Sequence, residues 1–400
     1  MAPSLLLLPF PPLSLKRELL DIAYQPSIKA AIQAISSPNL SSTLIIVVSH
    51  EIVHSYSQGQ PRLSWAECQS LLSTIYSIVS MVCDSLAIPT EVNGGPFSVD
   101  ARVILVDHSK DVEPDISAAP KIEPNSTTIP DLATFAAAYH PWDKIFHVNS
   151  EAGAIVFKRF CNLAQWKQKL NYSSFVEVPG GIVMNEAGFR PRVTLTNSHR
   201  VVCLGGTFDY LHPGHKLLLT AAVQLLDVPS PDSGKQCRFV IGITGDALLV
   251  NKKFADQVQT WQERTFCVLQ FLATILELSP LGFSGITVPA ISGNQAKVTF
   301  RNGTIVIDCV EINDVYGPTI TDPEITALVV SGETKNGGND VLVKRQTNGL
   351  GSMELFVVDV LDAKTLAEED KTENFESKIS STAIRKRRAE RATGTPAAKF

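Results

Sequence analysis

Long apolar runs are missing from this 400-residue chain, and without a stretch of roughly 20 such residues no membrane span is expected. The apolar start, Met1 to Pro12, has no basic segment and is broken by Pro9, Pro11 and Pro12, which argues against a secretory signal. Cysteine pairs are missing too. The seven cysteines, at positions 68, 83, 161, 203, 237, 267 and 309, are odd in number and include no Cys-x-x-Cys. Neither a disulfide framework nor a thiolate zinc site is indicated, and a reducing, cytoplasmic setting fits. Surplus positive charge is also absent: the net charge of −5 does not suit a nucleic-acid binder, which needs a basic surface to displace counterions. The basic run Arg385-Lys386-Arg387-Arg388, followed by Arg391, is local. It matches a nuclear signal, although a basic helix beside an anion is the simpler account.

What is present suffices for two cores, since 44% of the residues are hydrophobic. Residues 1–185 read as one α/β domain, with helices at 14–36 and 64–86 and strands at 43–48, 102–107 and 144–149. A polar connector leads to a second domain, 198–392. There the alternation of strands at 200–206, 238–244, 304–312, 325–331 and 355–361 with helices at 214–226, 262–278, 338–346 and from 381 implies a doubly wound, Rossmann-like parallel sheet. Asn302-Gly303, flanked by β-rich runs, signals a hairpin decorating that sheet.

The most informative stretch is Gly205-Gly206-Thr207-Phe208-Asp209-Tyr210-Leu211-His212-Pro213-Gly214-His215. It joins an apolar strand to a helix. Pro213 suits the first helical turn, so Gly214 and His215 sit where unpaired N–H groups and the positive dipole end face outward and an anion is expected. Thr207 and the two imidazoles add donors to the same spot. Far along the chain, Ile379-Ser380-Ser381-Thr382-Ala383-Ile384-Arg385 offers hydroxyls at a helix start and an arginine one turn on, the donor set of a second phosphate contact.

With both motifs in one domain, the chain resembles the adenylyltransferase branch of the nucleotidyltransferase superfamily. Cytidylyltransferases share His-x-Gly-His but carry Arg-Thr-x-Gly before Ile-Ser-Thr, where Glu376-Ser377-Lys378 stands here, which favours ATP over CTP. Nicotinamide mononucleotide adenylyltransferases share Ile-Ser-x-Thr-x-x-Arg, but their first motif has a proline where this chain has Asp209-Tyr210. Trp261-Gln262-Glu263-Arg264, Tyr316-Gly317-Pro318, Asp322-Pro323, Leu328 to Thr334 and Gly337-Gly338 look like the phosphopantetheine adenylyltransferase domain of eukaryotic coenzyme A synthesis. The resemblance covers about residues 198–390. The Gly234-Lys235 pair is followed by Gln236, so no P-loop kinase motif is present, and the expected form is the single-activity one found in fungi.

The resemblance implies a reaction of ATP with 4′-phosphopantetheine to give dephospho-coenzyme A and pyrophosphate. It implies contacts of the Gly205, Gly206, Phe208 and Gly214 segment with ATP, and of Thr207 with Lys252 or Lys253 to the acceptor phosphate. His215 is expected at the α-phosphate, His212 at the triphosphate, and Ser380, Ser381, Thr382 and Arg385 at the leaving phosphates. Mg2+ is expected to travel with ATP without a dedicated protein site, with Asp209 touching it at most through water. Lys344 and Arg345 are candidates for charge near the pantetheine arm, against a solvated helix face. The acidic segment Glu368-Glu369-Asp370, Glu373 and Glu376 is a candidate lid over ATP. His50-Glu51-Ile52-Val53-His54 matches the His-Glu-x-x-His zinc pattern, but it follows a strand directly, and no zinc site is expected there. For residues 1–185 the sequence leaves open an integral structural role or a docking scaffold for other coenzyme A enzymes.

Overall fold

The computed structural model describes residues 2–54, 62–108, 125–138, 141–184, 193–278, 290–359, 361 and 380–392. Leu5, Leu6, Leu7 and Leu8 are at most 1% exposed and form β1 (Ser4–Leu8), the middle strand of a five-stranded sheet, which ends where Pro9 withdraws its backbone donor. The sequence reading had placed no element there. Four strands flank it, β2 (Ser42–His50), β5 (Val99–Asp107), β6 (Ile145–Asn149) and β7 (Phe175–Pro179), in the order β5-β2-β1-β6-β7 with every pair parallel. Helices α1 (Arg17–Ile35), α2 (Trp65–Ser85), α3 (Leu132–Ala138) and α4 (Glu151–Ala164) lie between them in sequence, and β3 (Val53–His54) pairs with β4 (Arg62–Leu63).

The second sheet is built on β8 (Val201–Gly206), β9 (Cys237–Thr244), β12 (Ile305–Ile312), β13 (Ala327–Ser331) and β14 (Glu354–Val358), parallel in the order β12-β9-β8-β13-β14. The hairpin of β11 (Gln295–Phe300) with β12 turns through left-handed Arg301, Asn302 and Gly303, and β10 (Ala290–Ser292) pairs beyond β11. These two antiparallel strands are the hairpin decoration expected on the parallel sheet, extended by one further strand, and they make the sheet mixed. Its helices are α5 (Pro213–Val223), α6 (Trp261–Leu276), α7 (Lys335–Thr347) and α8 (Ser381–Ala392). Counted along the chain, both parallel arrays have the order 3-2-1-4-5. The order reverses beside the first strand, and in the second array a crevice is expected there, at the carboxyl ends of β8 and β13.

The two sheets share one apolar core, a continuous cluster running from Leu5 to Leu361. α5 explains why. Leu217, Leu219, Ala221, Ala222 and Val223 are all buried, and a helix apolar on every side needs cover on every side. Its own sheet covers one side and α2 another, with Trp65 Nε1 donating to Ala221 O at 2.8 Å.

Candidate active site

β8 ends at the reversal point, and the chain turns through Thr207 to His212 into α5, with Pro213 at its first turn as expected. Phe208 and Tyr210 take left-handed conformations, φ 53° and 45°, which cost a non-glycine residue on the order of 1 kcal/mol or more. Burial and hydrogen bonds hold them. Tyr210 N donates to Gln259 Oε1 at 2.7 Å, Tyr210 Oη to Gln257 O at 2.6 Å, and Gln259 N to Asp209 Oδ1 at 3.0 Å. Arg264 of α6, wholly buried, donates to Thr207 O at 2.8 Å and to Gln259 O at 2.9 Å, and pairs with Asp246. The aromatic-x-Glu-Arg helix start thus serves to brace the loop. An added Cβ on Gly205 would make ordinary contact with Gly242 O at 3.8 Å and Ile312 at 3.9 Å, without a clash.

The His212 and His215 rings stack with centroids 3.9 Å apart. Each is partly exposed at the surface yet enclosed by protein atoms on its other sides. Burial holds His215 down at about 3; burial, then the neighbouring His215 and Lys216, hold His212 well below its ordinary value. Both rings are therefore neutral at pH 7. Each buries an Nδ1 with no hydrogen-bond partner among the described residues, the kind of gap in a polar network that a bound ligand or water closes.

α8 docks on this loop. Ser380 caps the helix by accepting from Ala383 N at 3.3 Å, and Ser381 Oγ donates to Asp209 O at 2.8 Å. Arg385, 2% exposed, is fully engaged within the protein: Nη1 on Asp209 Oδ2 at 2.5 Å, Nη2 on Thr382 Oγ1 and Nε on Lys253 O at 3.0 Å each. The sequence assigns Arg385 to the leaving phosphates; its bond to Asp209 follows because Asp209 is wholly buried and must be paired. Arg388 lies 4.8 Å above the Tyr210 ring, Arg387 pairs with Glu91 and Lys386 with Glu390, so all four cations from Arg385 to Arg388 have partners inside the molecule.

The remaining expected residues fall unevenly. Lys252 and Lys253 are exposed in the turn after β9, beside α8 through the Lys253 carbonyl. Arg345 is neither a ligand group nor part of a solvated face. It is 2% exposed and its guanidinium closes the carbonyls of Thr319, Asp322 and Ile325. The His-Glu-x-x-His segment ends β2 and enters β3, so its imidazoles share no helical face, and among the described residues no group of three His, Cys, Asp or Glu could hold a metal. The candidate lid at 368–376 lies outside the described residues. Sequence reasoning missed Gln259, Lys216 and Glu91. Lys216 alone had a signal, a lone charge followed by Leu217-Leu218-Leu219 in an apolar helix.

The protein is an α/β protein of the nucleotidyltransferase fold. The phosphopantetheine adenylyltransferase of Pyrobaculum aerophilum is 32% identical over 159 residues, covering 40% of this chain and 79% of that protein. The chain belongs to the phosphopantetheine adenylyltransferase family. The Saccharomyces cerevisiae phosphopantetheine adenylyltransferase is 33% identical over 190 residues, 48% of this chain and 49% of its own. An uncharacterised protein of Schizosaccharomyces pombe is 34% identical over 194 residues, 47% of this chain and 48% of its own. The chain thus spans about half the length of these two fungal relatives. Residues 1–184 match the model of a domain of unknown function (DUF8446).

Proposed function

We propose that this chain transfers the adenylyl group of ATP to the phosphate of 4′-phosphopantetheine, a step of coenzyme A biosynthesis. The observation that carries the reading is the seating of α8, with its Ser-Ser-Thr start, on the 205–215 loop at the carboxyl end of β8. The relatives named phosphopantetheine adenylyltransferase support the same reading.

In the proposed reaction a phosphate oxygen of phosphopantetheine attacks the α-phosphorus of ATP, the bond to the β-phosphate oxygen breaks, and that electron pair leaves with pyrophosphate. The protein forms no covalent bond; it positions the reactants and stabilises charge. Thr207 and one of Lys252 and Lys253 hold the attacking phosphate. The Gly214 N–H and the neutral His215 meet charge growing on the α-phosphate, and His212 steadies the triphosphate. The first turn of α8, with Ser380, Ser381 and Thr382, receives the leaving phosphates. Direct binding by Arg385 would require it to exchange Asp209 for a phosphate oxygen. With Asp209 already paired, the magnesium of the ATP complex would take its ligands from phosphate and water.

The test is pyrophosphate release by the purified protein with ATP or CTP and with 4′-phosphopantetheine, nicotinamide mononucleotide or phosphocholine as acceptor. Turnover is expected with ATP and phosphopantetheine only, falling about 10²-fold or more in His215→Ala. Turnover with another pair, or none, would defeat the assignment.

A further inference from the structure

Among the described residues, segment 90–102 of the N-terminal unit reaches the proposed site. Glu91, 2% exposed, takes Arg387 Nη2 on both its oxygens at 2.8 and 3.0 Å and so grips α8. Val92 N donates to Leu211 O at 3.0 Å, directly before His212. Asp100 takes the Lys216 ammonium at 2.6 Å, and Thr90 O and Ala101 O accept from it at 3.1 Å each. Lys216 directly follows His215 and is wholly buried. Arg102 closes the other Asp100 oxygen at 2.6 Å. Segment 90–102 therefore holds both phosphate-facing elements, the start of α5 and the helix α8.

We propose that segment 90–102 completes the adenylyltransferase site in cis, with Glu91 a positioning residue that holds α8 through Arg387 at its working distance from His212 and His215. The inference rests on the ATP reading given above. Ser381 and Arg385 tie α8 to Asp209, Arg385 to Lys253 O and Arg388 to Tyr210, all in the second unit. Glu91 holds it from the opposite unit. A buried carboxylate bonded to guanidinium is a strong and directional tie, and displacement of a phosphate-binding element by about 1 Å can lower a rate on the order of 10²-fold.

The test uses the full chain with Glu91→Gln, Arg387→Gln, the double variant and Arg387→Lys. Two quantities are measured, KM for each substrate and hydrogen exchange over residues 381–392. Each Gln variant should raise KM for ATP about tenfold, change KM for phosphopantetheine less, and speed exchange in α8; Arg387→Gln, which strands the buried Glu91 carboxylate, should also lower the melting temperature, and Glu91→Gln should lower it less. The double variant should be no worse than either single one, and Arg387→Lys should recover part of the affinity. Unchanged ATP KM and α8 exchange in Glu91→Gln, or fully additive losses in the double variant, would overturn the proposal. If the wild-type chain fails to turn over ATP with phosphopantetheine, the functional reading falls while the exchange data still decide whether Glu91 holds α8.

Discussion

His212 and His215 should leave a signature in stability as a function of pH. His215 is held at about 3 when folded, so between its ordinary value near 6.5 and that point the unfolded chain binds a proton that the native one refuses. Its stabilising contribution is whole above that ordinary value and declines as pH falls, by about 1.4 kcal/mol per pH unit. Urea unfolding at pH 7.5 and pH 5 should show the decline, and His215→Gln should remove part of it. Asp100 acts in a lower window. Burial raises its carboxyl, but Arg102 and Lys216 together outweigh burial and hold it at about 2, so its contribution is lost only as pH falls from about 4 toward that value. The motif residues of both runs were legible because their work begins in local backbone geometry. The bond from Arg385 to Asp209 was not, because no spacing in sequence links positions 209 and 385.

At the scale of elements, α5 concentrates the design. Its apolar residues pack on two sides, and its one charge is matched by a residue of another sheet. Asp100→Ala would strand Lys216 and Arg102 together, whereas Lys216→Met leaves the Asp100–Arg102 pair intact. Denaturant midpoints should therefore show a loss of about 3–5 kcal/mol for Asp100→Ala and a clearly smaller one for Lys216→Met. At the helix start, a Cβ on Gly214 would lie 3.2 Å from the His212 ring. Gly214→Ala should weaken ATP binding, read by calorimetry, with little effect on the melting temperature. Most helices and strands of the second sheet were readable from periodicity, and Asn302-Gly303 marked the hairpin. β1 escaped because four leucines before a proline cluster read equally as a strand or as a hydrophobic tail.

For the whole molecule, the continuous core predicts a single cooperative transition. Far-ultraviolet circular dichroism and tryptophan fluorescence should give coincident urea curves, and calorimetric and van't Hoff enthalpies should agree. Two separated transitions would mean that the sheets unfold independently. Residues 198–392 expressed alone would expose the α2-facing side of α5 and leave Lys216 without Asp100, and they should aggregate at concentrations where the full chain stays monodisperse. By itself the sequence determined the α/β alternation, the strand-to-helix turn at 205–215 and the hydroxyl-rich start of α8, since these follow from side-chain periodicity and from which residues tolerate a given backbone. Only the tertiary structure decided that Asp209 holds Arg385, that Arg345 is a structural arginine, and that Glu91, from the connection after α2, bonds Arg387 and Asp100, from β5, bonds Lys216. Those contacts join residues far apart in the chain, and burial alone makes them necessary: a charge removed from water requires a partner wherever the fold supplies one.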